Sequence, residues 1–155
     1  MPLDTSYSRS TLVPDLGPKL ADSFASVASA YIVLPIQMGV VGVLSVLSNV
    51  GLVYPVTFDA QATPNLVHVI AAVKTPPVGG NLVVDVNKNG TTIFSIQSNR
   101  PTIVAGAAVS SVSIPDVTSL VAGDVLTIDV DQIGPTSPGA DLSVVILLKQ
   151  RLLFL

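Results

Sequence analysis

Apolar and polar residues alternate along most of this chain with a period of two, which is the pattern of β-strands. In "NLVVDVN", residues 81–87, Leu82, Val84 and Val86 point to one side while Asp85 and Asn87 point to the other. Similar short runs are "SAYIVLPIQ", "VGVLSVL", "GLVYPVTFD", "NLVHVIAAVK", "TTIFSIQ", "AAVSSVSIP" and "DVLTIDVD". Eight or nine such strands, separated by Gly, Pro and Asn turns, predict an all-β fold. The expected architecture is a jelly-roll-like β-sandwich over residues 26–155.

Two apolar stretches depart from simple alternation. The last run, "DLSVVILLKQRLLFL", is apolar on both faces, which predicts a central strand or a strand buried between subunits. The second, "YIVLPIQMGVVGVLSVLSNVGLV", is long enough to cross a bilayer. Pro35 and Gln37 interrupt it, and no Lys or Arg flanks it, so we expect no membrane span. It is interpreted as buried strands with turns at Gly39, Gly42 and residues 49–51.

Residues 1–25 differ from the rest of the chain and form a separate segment. They lack a hydrophobic period, and Pro2, Pro14 and Pro18 exclude a regular helix or an inner strand. The prediction is an extended N-terminal arm that becomes ordered against a partner. The alternative is a terminus with no binding role. The candidate partner-binding residues of the arm are Leu3, Tyr7, Arg9, Leu12, Leu16 and Leu20.

The composition indicates that much of the surface is covered. Hydrophobic residues make up 49% of the chain and charged residues 11%, whereas about 25% charged residues is typical. We therefore expect a homo-oligomer, with a trimer as the first choice and a dimer as the alternative. The net charge of -3 and the scattered Lys and Arg residues give no footprint for nucleic acid. The chain has no cysteine, which excludes disulfides and zinc–thiolate sites.

The stretch "DVNKNG", residues 85–90, starts like a calcium-binding loop. Asp85, Asn87 and Asn89 alternate ahead of Gly90, but the position of the closing glutamate is occupied by Ile96. The same residues fit a turn between two strands, with Asn89 and Gly90 in the positive-φ positions. We predict a hairpin turn and no metal site.

Other candidate chemistry is sparse. Asp129 and Asp131 share one strand face, where they are interpreted as outward residues that keep the strand from mispairing. His68 is the only histidine, set in an apolar run, and is interpreted as structural. No nucleophile elbow, phosphate loop or metal-spaced histidine pair is present in the sequence. We predict a non-enzymatic protein with no catalytic residues, cofactor or metal.

Two stretches of the chain resemble virion proteins of tailed bacteriophages. Residues 75–148, with "VDVNKNGTTIF", "NRPTI" and "GADL", are similar to a β-sandwich module of phage structural and fibre-like proteins. The start, "LDTSYSRSTLVPDLGPKLADS", resembles the N-terminal arms of small head-associated proteins. The resemblance implies a capsid decoration (cement) protein on the virion surface, bound to the major capsid protein and to its own copies. A tail fibre tip or tail accessory (receptor-binding) protein is the alternative.

Overall fold

The computed structural model describes residues 31–56 and 65–151, and in this part of the chain the regular structure is almost entirely β. A single 3-10 turn, Gln97–Asn99, interrupts the strands. The strands are β1 (Tyr31–Val43), β2 (Leu47–Pro55), β3 (Asn65–Thr75), β4 (Leu82–Lys88), β5 (Thr91–Thr92), β6 (Thr102–Ile103), β7 (Val125–Gln132) and β8 (Ala140–Arg151).

The strands form two antiparallel sheets with a jelly-roll order. Sheet A has the order β1-β8-β3, and sheet B has the order β2-β7-β4-β5, with β6 also paired to β4. Residues 109–119 lie along the other edge of β3 through isolated bridges. β1 pairs with β8, β2 with β7, β3 with residues 109–119 and β4 with β5, which is how a jelly roll is wound. The predicted all-β sandwich is confirmed, while the arm, residues 1–25, lies outside the described residues.

The core lies between the two sheets. Sheet A contributes Val69, Val144 and Ile146, and sheet B contributes Val84 and Ile128, each fully buried. Full burial of one such side chain stabilises the fold by about 1.5–3 kcal/mol. The inward residues predicted from the period-2 pattern in β4 and β7 are all in this cluster: Leu82, Val84, Val86, Leu126, Ile128 and Val130. The last apolar run forms β8, the central strand of sheet A.

Several predicted turns and strands are wrong. β1 runs through Gly39 and Gly42, and β2 runs through residues 49–51, so these positions do not end strands. Gly39 is needed because β1 approaches β8 closely: a Cβ there would lie 2.5 Å from the carbonyl oxygen of Leu142. Gly42 and Asn49 take positive φ angles where the pairing register shifts. In each case one extra residue forms a β-bulge, and the strand continues beyond it.

Two other predicted strands are mostly irregular. Only Thr91–Thr92 of "TTIFSIQ" is a strand, and "AAVSSVSIP" contacts β3 through isolated bridges. The apolar stretch from Tyr31 forms β1 and β2. Within the described part of the chain, no helix has the length and apolarity needed to span a membrane.

The two ends of the sandwich differ in what they carry. Pairing places Tyr31 beside Arg151, and Asn65 beside Lys149, at one end, which we call the terminal end. At the opposite end, which we call the loop end, four segments meet: residues 41–47, 76–81, 104–108 and 133–139. Backbone hydrogen bonds join them, from Leu44 N to Gly139 O (3.0 Å) and from Gly106 N to Pro77 O (2.8 Å).

The close approach at Gly39 gives a stability prediction. Gly39→Ala should destabilise the fold by about 1–3 kcal/mol, because the added methyl forces β1 away from β8. Gln37→Ala, on the same face of the same strand and exposed, is the control and should change stability little. Chemical denaturation measures both; equal stability of the two variants would contradict the close approach.

Candidate functional site

The "DVNKNG" stretch is a β-hairpin turn, as predicted. Lys88 pairs with Thr91, so β4 and β5 are joined by a two-residue turn. Asn89 has φ 52° and Gly90 has φ 78°, and two positive φ angles define the turn type that suits the twist of paired strands. The turn lies at the terminal end, where Lys88 Nζ donates to the carbonyl oxygen of Ser119 (3.1 Å).

The polar groups of this turn are occupied by the neighbouring loop. Asn89 N donates to Val125 O, and Val125 N donates to Asn89 Oδ1, both at 2.8 Å. Asn89 Nδ2 donates to Asp124 Oδ1 (2.6 Å), and Val121 N donates to Asp124 Oδ2 (2.9 Å). The Val121 amide, with Asn89 and Lys88, holds the pKa of the Asp124 carboxyl below its usual value. Asp124 therefore fastens the turn to the start of β7.

The side chains do not converge as calcium ligands do. Asp85 and Asn87 lie on one face of an extended strand, where alternate residues are about 7 Å apart and project in parallel. Asp85 Oδ1 already accepts hydrogen bonds from Val86 N (2.7 Å) and Thr92 Oγ1 (2.8 Å). Among the described residues, no group of three or more His, Cys, Asp or Glu side chains is placed to hold a metal ion. The hairpin assignment accounts for the motif.

A matched pair of substitutions tests the turn. Gly90→Val should lower the free energy of unfolding by about 1–2 kcal/mol, because left-handed backbone is strained for a branched residue. Gly90→Asn should cost much less, since asparagine tolerates this region and a Cβ at this position has open space. Calcium should leave the melting temperature of the wild-type chain unchanged. A calcium-dependent rise of several degrees would contradict the hairpin assignment.

The outward face of sheet B is polar, and its groups are paired with each other. Asp129, opposite Asp85 in the β4–β7 pairing, accepts a hydrogen bond from Asn49 N (2.6 Å). Asp131 forms an ion pair with Arg100. The outward positions predicted for Asp129 and Asp131 agree with the structure, but their predicted role at an unpaired edge is wrong, because β7 pairs with both β2 and β4. Each carboxylate instead has a structural partner on the sheet B side.

Asp85 is the buried carboxylate of this face, with 6% of its surface exposed. Burial raises the pKa of its carboxyl, and the hydrogen bonds from Thr92 and Val86 oppose the shift. A carboxyl with a raised folded pKa favours folding when it is protonated. Its contribution to stability is therefore greatest below the unfolded pKa and is lost as the pH rises through the folded pKa.

Asp85→Asn should separate the charge of Asp85 from its hydrogen bonds. Both hydrogen bonds reach Oδ1, which an asparagine retains, so at neutral pH the variant should be as stable as the wild type or more stable. Asp85→Ala is the control that loses both bonds and should be less stable. Denaturation between pH 3 and 8 measures the effect. An Asp85→Asn variant as unstable as Asp85→Ala at neutral pH would show that the charge itself is needed.

The middle of the outward face of sheet A carries a group of apolar side chains, whereas the outward face of sheet B is polar. Pairing aligns Pro35, Leu147 and His68 in one row, and Gln37, Val145 and Ile70 in the next. We call the apolar members of this face the sheet A surface: Val33, Pro35, Ile70, Val145 and Leu147. His68 lies half-buried within it. A sheet whose second face is apolar is typical of a face covered in an assembly.

Lys149 and Tyr31 mark the end of this surface. The Lys149 ammonium lies 4.1 Å from the centroid of the Tyr31 ring, at the terminal end. Tyr31, Ile32 and Val33 are all exposed, although successive residues of a strand face opposite sides. The first three residues of β1 are therefore apolar and exposed on both faces of the sheet.

The loop end is a second apolar surface. Residues 41–47, 76–81, 104–108 and 133–139 contain no charged residue. Val41 protrudes at the bulge of β1 with 94% of its surface exposed. Val43, Val46, Val78 and Val104 are also exposed there. An uncharged end with protruding valines is suited to contact with another protein rather than to catalysis.

An open depression lies between the 3-10 turn and residues 111–114. Its volume is about 350 Å³, and its lining is rich in hydroxyl and amide groups. The lining residues are Ser98, Asn99, Arg100, Thr102, Ser111, Val112, Ser113 and Ile114. Arg100 is held by Gln97 O and by Asp131, so it is a fixed positive group at the rim.

The arm residues named from the sequence, Leu3, Tyr7, Arg9, Leu12, Leu16 and Leu20, lie outside the described residues. The sheet A surface and the loop end were not identified as sites from the sequence. The signals for them were present as the apolar outward positions of β8 and the absence of charge between Asp22 and Asp59. They become surfaces only once the pairing of distant strands is known.

Comparison with known proteins gives little beyond this geometry. No family model matches the chain, and no curated protein matches it. Among solved structures, the chain is similar to a chain of a structure titled "Cyanophage Pam1 capsid asymmetric unit", with 17% identity and a TM-score of 0.45. The similarity covers 79% of this chain and 86% of that chain. At this level of similarity no function follows from it.

Proposed function

We propose that this chain is a non-enzymatic virion structural protein of the capsid decoration type. It binds the outer surface of a phage head through the major capsid protein and through its own copies, and it stabilises the particle. The observation that carries the proposal is the presence of two exposed apolar surfaces, the sheet A surface and the uncharged loop end, on a small sandwich whose other sheet face is polar. Such surfaces promote aggregation of a free monomer, whereas in an assembly they form contacts between subunits.

The arrangement of the ends supports an anchoring role for the N-terminal segment. The described chain starts with Tyr31 at the terminal end, and the thirty residues before it include the arm. An extended segment that orders on binding must recover its lost entropy through contacts along its length. The anchors that we assign to these contacts are Leu3, Tyr7, Arg9, Leu12, Leu16 and Leu20.

One feature favours a second candidate, a tail fibre tip or tail accessory protein that binds a receptor. The open depression beside Arg100 presents hydroxyl and amide groups, which are the groups that hold a polar ligand such as a glycan. Few aromatic side chains are available for sugar stacking, since the chain has three Tyr, four Phe and no Trp. Labelled antibody in electron micrographs of intact particles distinguishes the two: head labelling supports decoration, and tail labelling supports the receptor-binding role.

The binding test uses undecorated particles. Deletion of residues 2–24 should leave the sandwich folded but weaken particle binding and reduce protection of the particle against heat. A full-length variant with Leu12→Ser, Leu16→Ser and Leu20→Ser should show the same defect. The matched control, Ser6→Ala with Ser8→Ala and Ser10→Ala, should bind like the wild type. Normal decoration and heat protection by the truncated chain would remove the arm from the mechanism.

A further inference from the structure

We propose that the β1 edge of sheet A receives the N-terminal arm of a second copy of this chain. This inference rests on the proposed arm and names the partner and the site that receive it. Copies are then linked head to tail, each giving its arm to the next. A head-to-tail contact forms a ring when its rotation closes and an open filament when it does not, and a ring of three copies is the assembly we assign.

The receiving strand is β1, at the edge of sheet A. In the described part of the chain, β1 pairs with β8 on one side only. Exposed edges usually carry charged residues, prolines or bulges that discourage pairing. Residues 31–43 contain no charged residue, and the protection of this edge is confined to Pro35 and the bulge after Val40. Val33 is 56% exposed and lies beside Pro35 on the outward face. An extended peptide fits such an edge because it adds main-chain hydrogen bonds and places alternate side chains on the sheet.

The length of chain before Tyr31 is sufficient to reach a neighbour. Thirty residues span at most about 100 Å when fully extended, whereas the twelve residues of β8 span about 40 Å. An arm can therefore leave its own sandwich and still run the full length of β1 on the next copy. Its apolar residues are spaced irregularly, which suits an extended peptide rather than a helix.

The sequence next to Tyr31 favours exchange between copies over folding back within one copy. Residues 23–30, "SFASVASA", contain no Gly, Pro, Asn or Asp. Serine is the one turn-favouring residue type in this stretch, and the residues that favour tight turns most strongly are missing from it. The nearest are Asp22 and the Gly17–Pro18 pair, at least nine residues before Tyr31. This composition supports exchange of the arm with a neighbour over a tight reversal onto its own β1.

Cross-linking between copies tests the exchange directly, because the chain has no cysteine of its own. One full-length pool carries a single arm cysteine, Leu12→Cys, Leu16→Cys or Leu20→Cys. The other pool carries Val33→Cys on β1 or, as the control, Val53→Cys on β2. Val53 is a matched control because it is 58% exposed and also lies on an edge strand.

After the pools are mixed and treated with a short thiol cross-linker, Val33→Cys should form a heterodimer with at least one arm position, and Val53→Cys should not. Equal linking to both valines, or none to Val33→Cys, overturns the inference. A chain carrying both an arm cysteine and Val33→Cys that links only within itself, at the mass of one chain, shows instead that the arm covers its own sheet.

The mass in solution provides an independent readout. Sedimentation of the full chain should give three times the 15.9 kDa chain mass. Val33→Lys should weaken self-association by about tenfold or more, because a buried, unpaired charge is costly, and Val53→Lys should not. Particle binding separates this inference from the proposed function. If Val33→Lys and the wild type have the same mass while the truncated chain still fails to decorate, the arm binds the capsid and the inference alone is wrong.

Discussion

β8 is the strand on which both the fold and its outward surface depend. It lies between β1 and β3, so it supplies the hydrogen-bond partners for the whole of sheet A. Its inward residues, including Val144 and Ile146, fill the core, and its outward residues Val145 and Leu147 form the centre of the sheet A surface. The chain therefore completes its core only when its last strand is in place. Pairing between strands so distant in sequence makes the folding of this protein intrinsically slow.

The two sheets divide polar and apolar surface between them. Sheet B presents Asp85, Asp129 and Asp131 outward, and the hydrogen bonds and ion pair of these residues are satisfied within the sheet. Sheet A presents Pro35, Ile70, Val145 and Leu147 at the middle of its outward face, with Gln37 and His68 beside them. Charged residues lie toward the ends of this face, at Lys74, Asp141 and Lys149. Charge is therefore present on both sides of the sandwich, and contact with a partner is the simplest physical explanation for the apolar middle of sheet A.

The local alternation of apolar and polar residues was sufficient to predict the regular strands. The features that it did not predict depend on pairing between strands that are distant in sequence. The inward set of β4, Leu82, Val84 and Val86, follows directly from alternation, and so does the turn at Asn89 and Gly90. The two glycines of β1 were wrongly predicted as turns, because a glycine at a close approach between strands (Gly39) or at a bulge (Gly42) gives the same sequence signal as a glycine in a loop. The burial of Asp85 was not predictable, since it depends on β5 and on the Thr92 hydroxyl, whose position only the folded hairpin defines.

The strand pairing also determines where partners can bind. Tyr31 and Arg151 are neighbours at the terminal end, so the segment before β1 is attached to the sandwich there. The uncharged loops lie at the other end, about 40 Å away along the strands. Contacts made through the arm and contacts made through Val41 and its neighbours therefore fall on different parts of the molecule. A subunit with separated contacts of this kind can bind a neighbouring copy along sheet A and still leave its loop end free for a different protein.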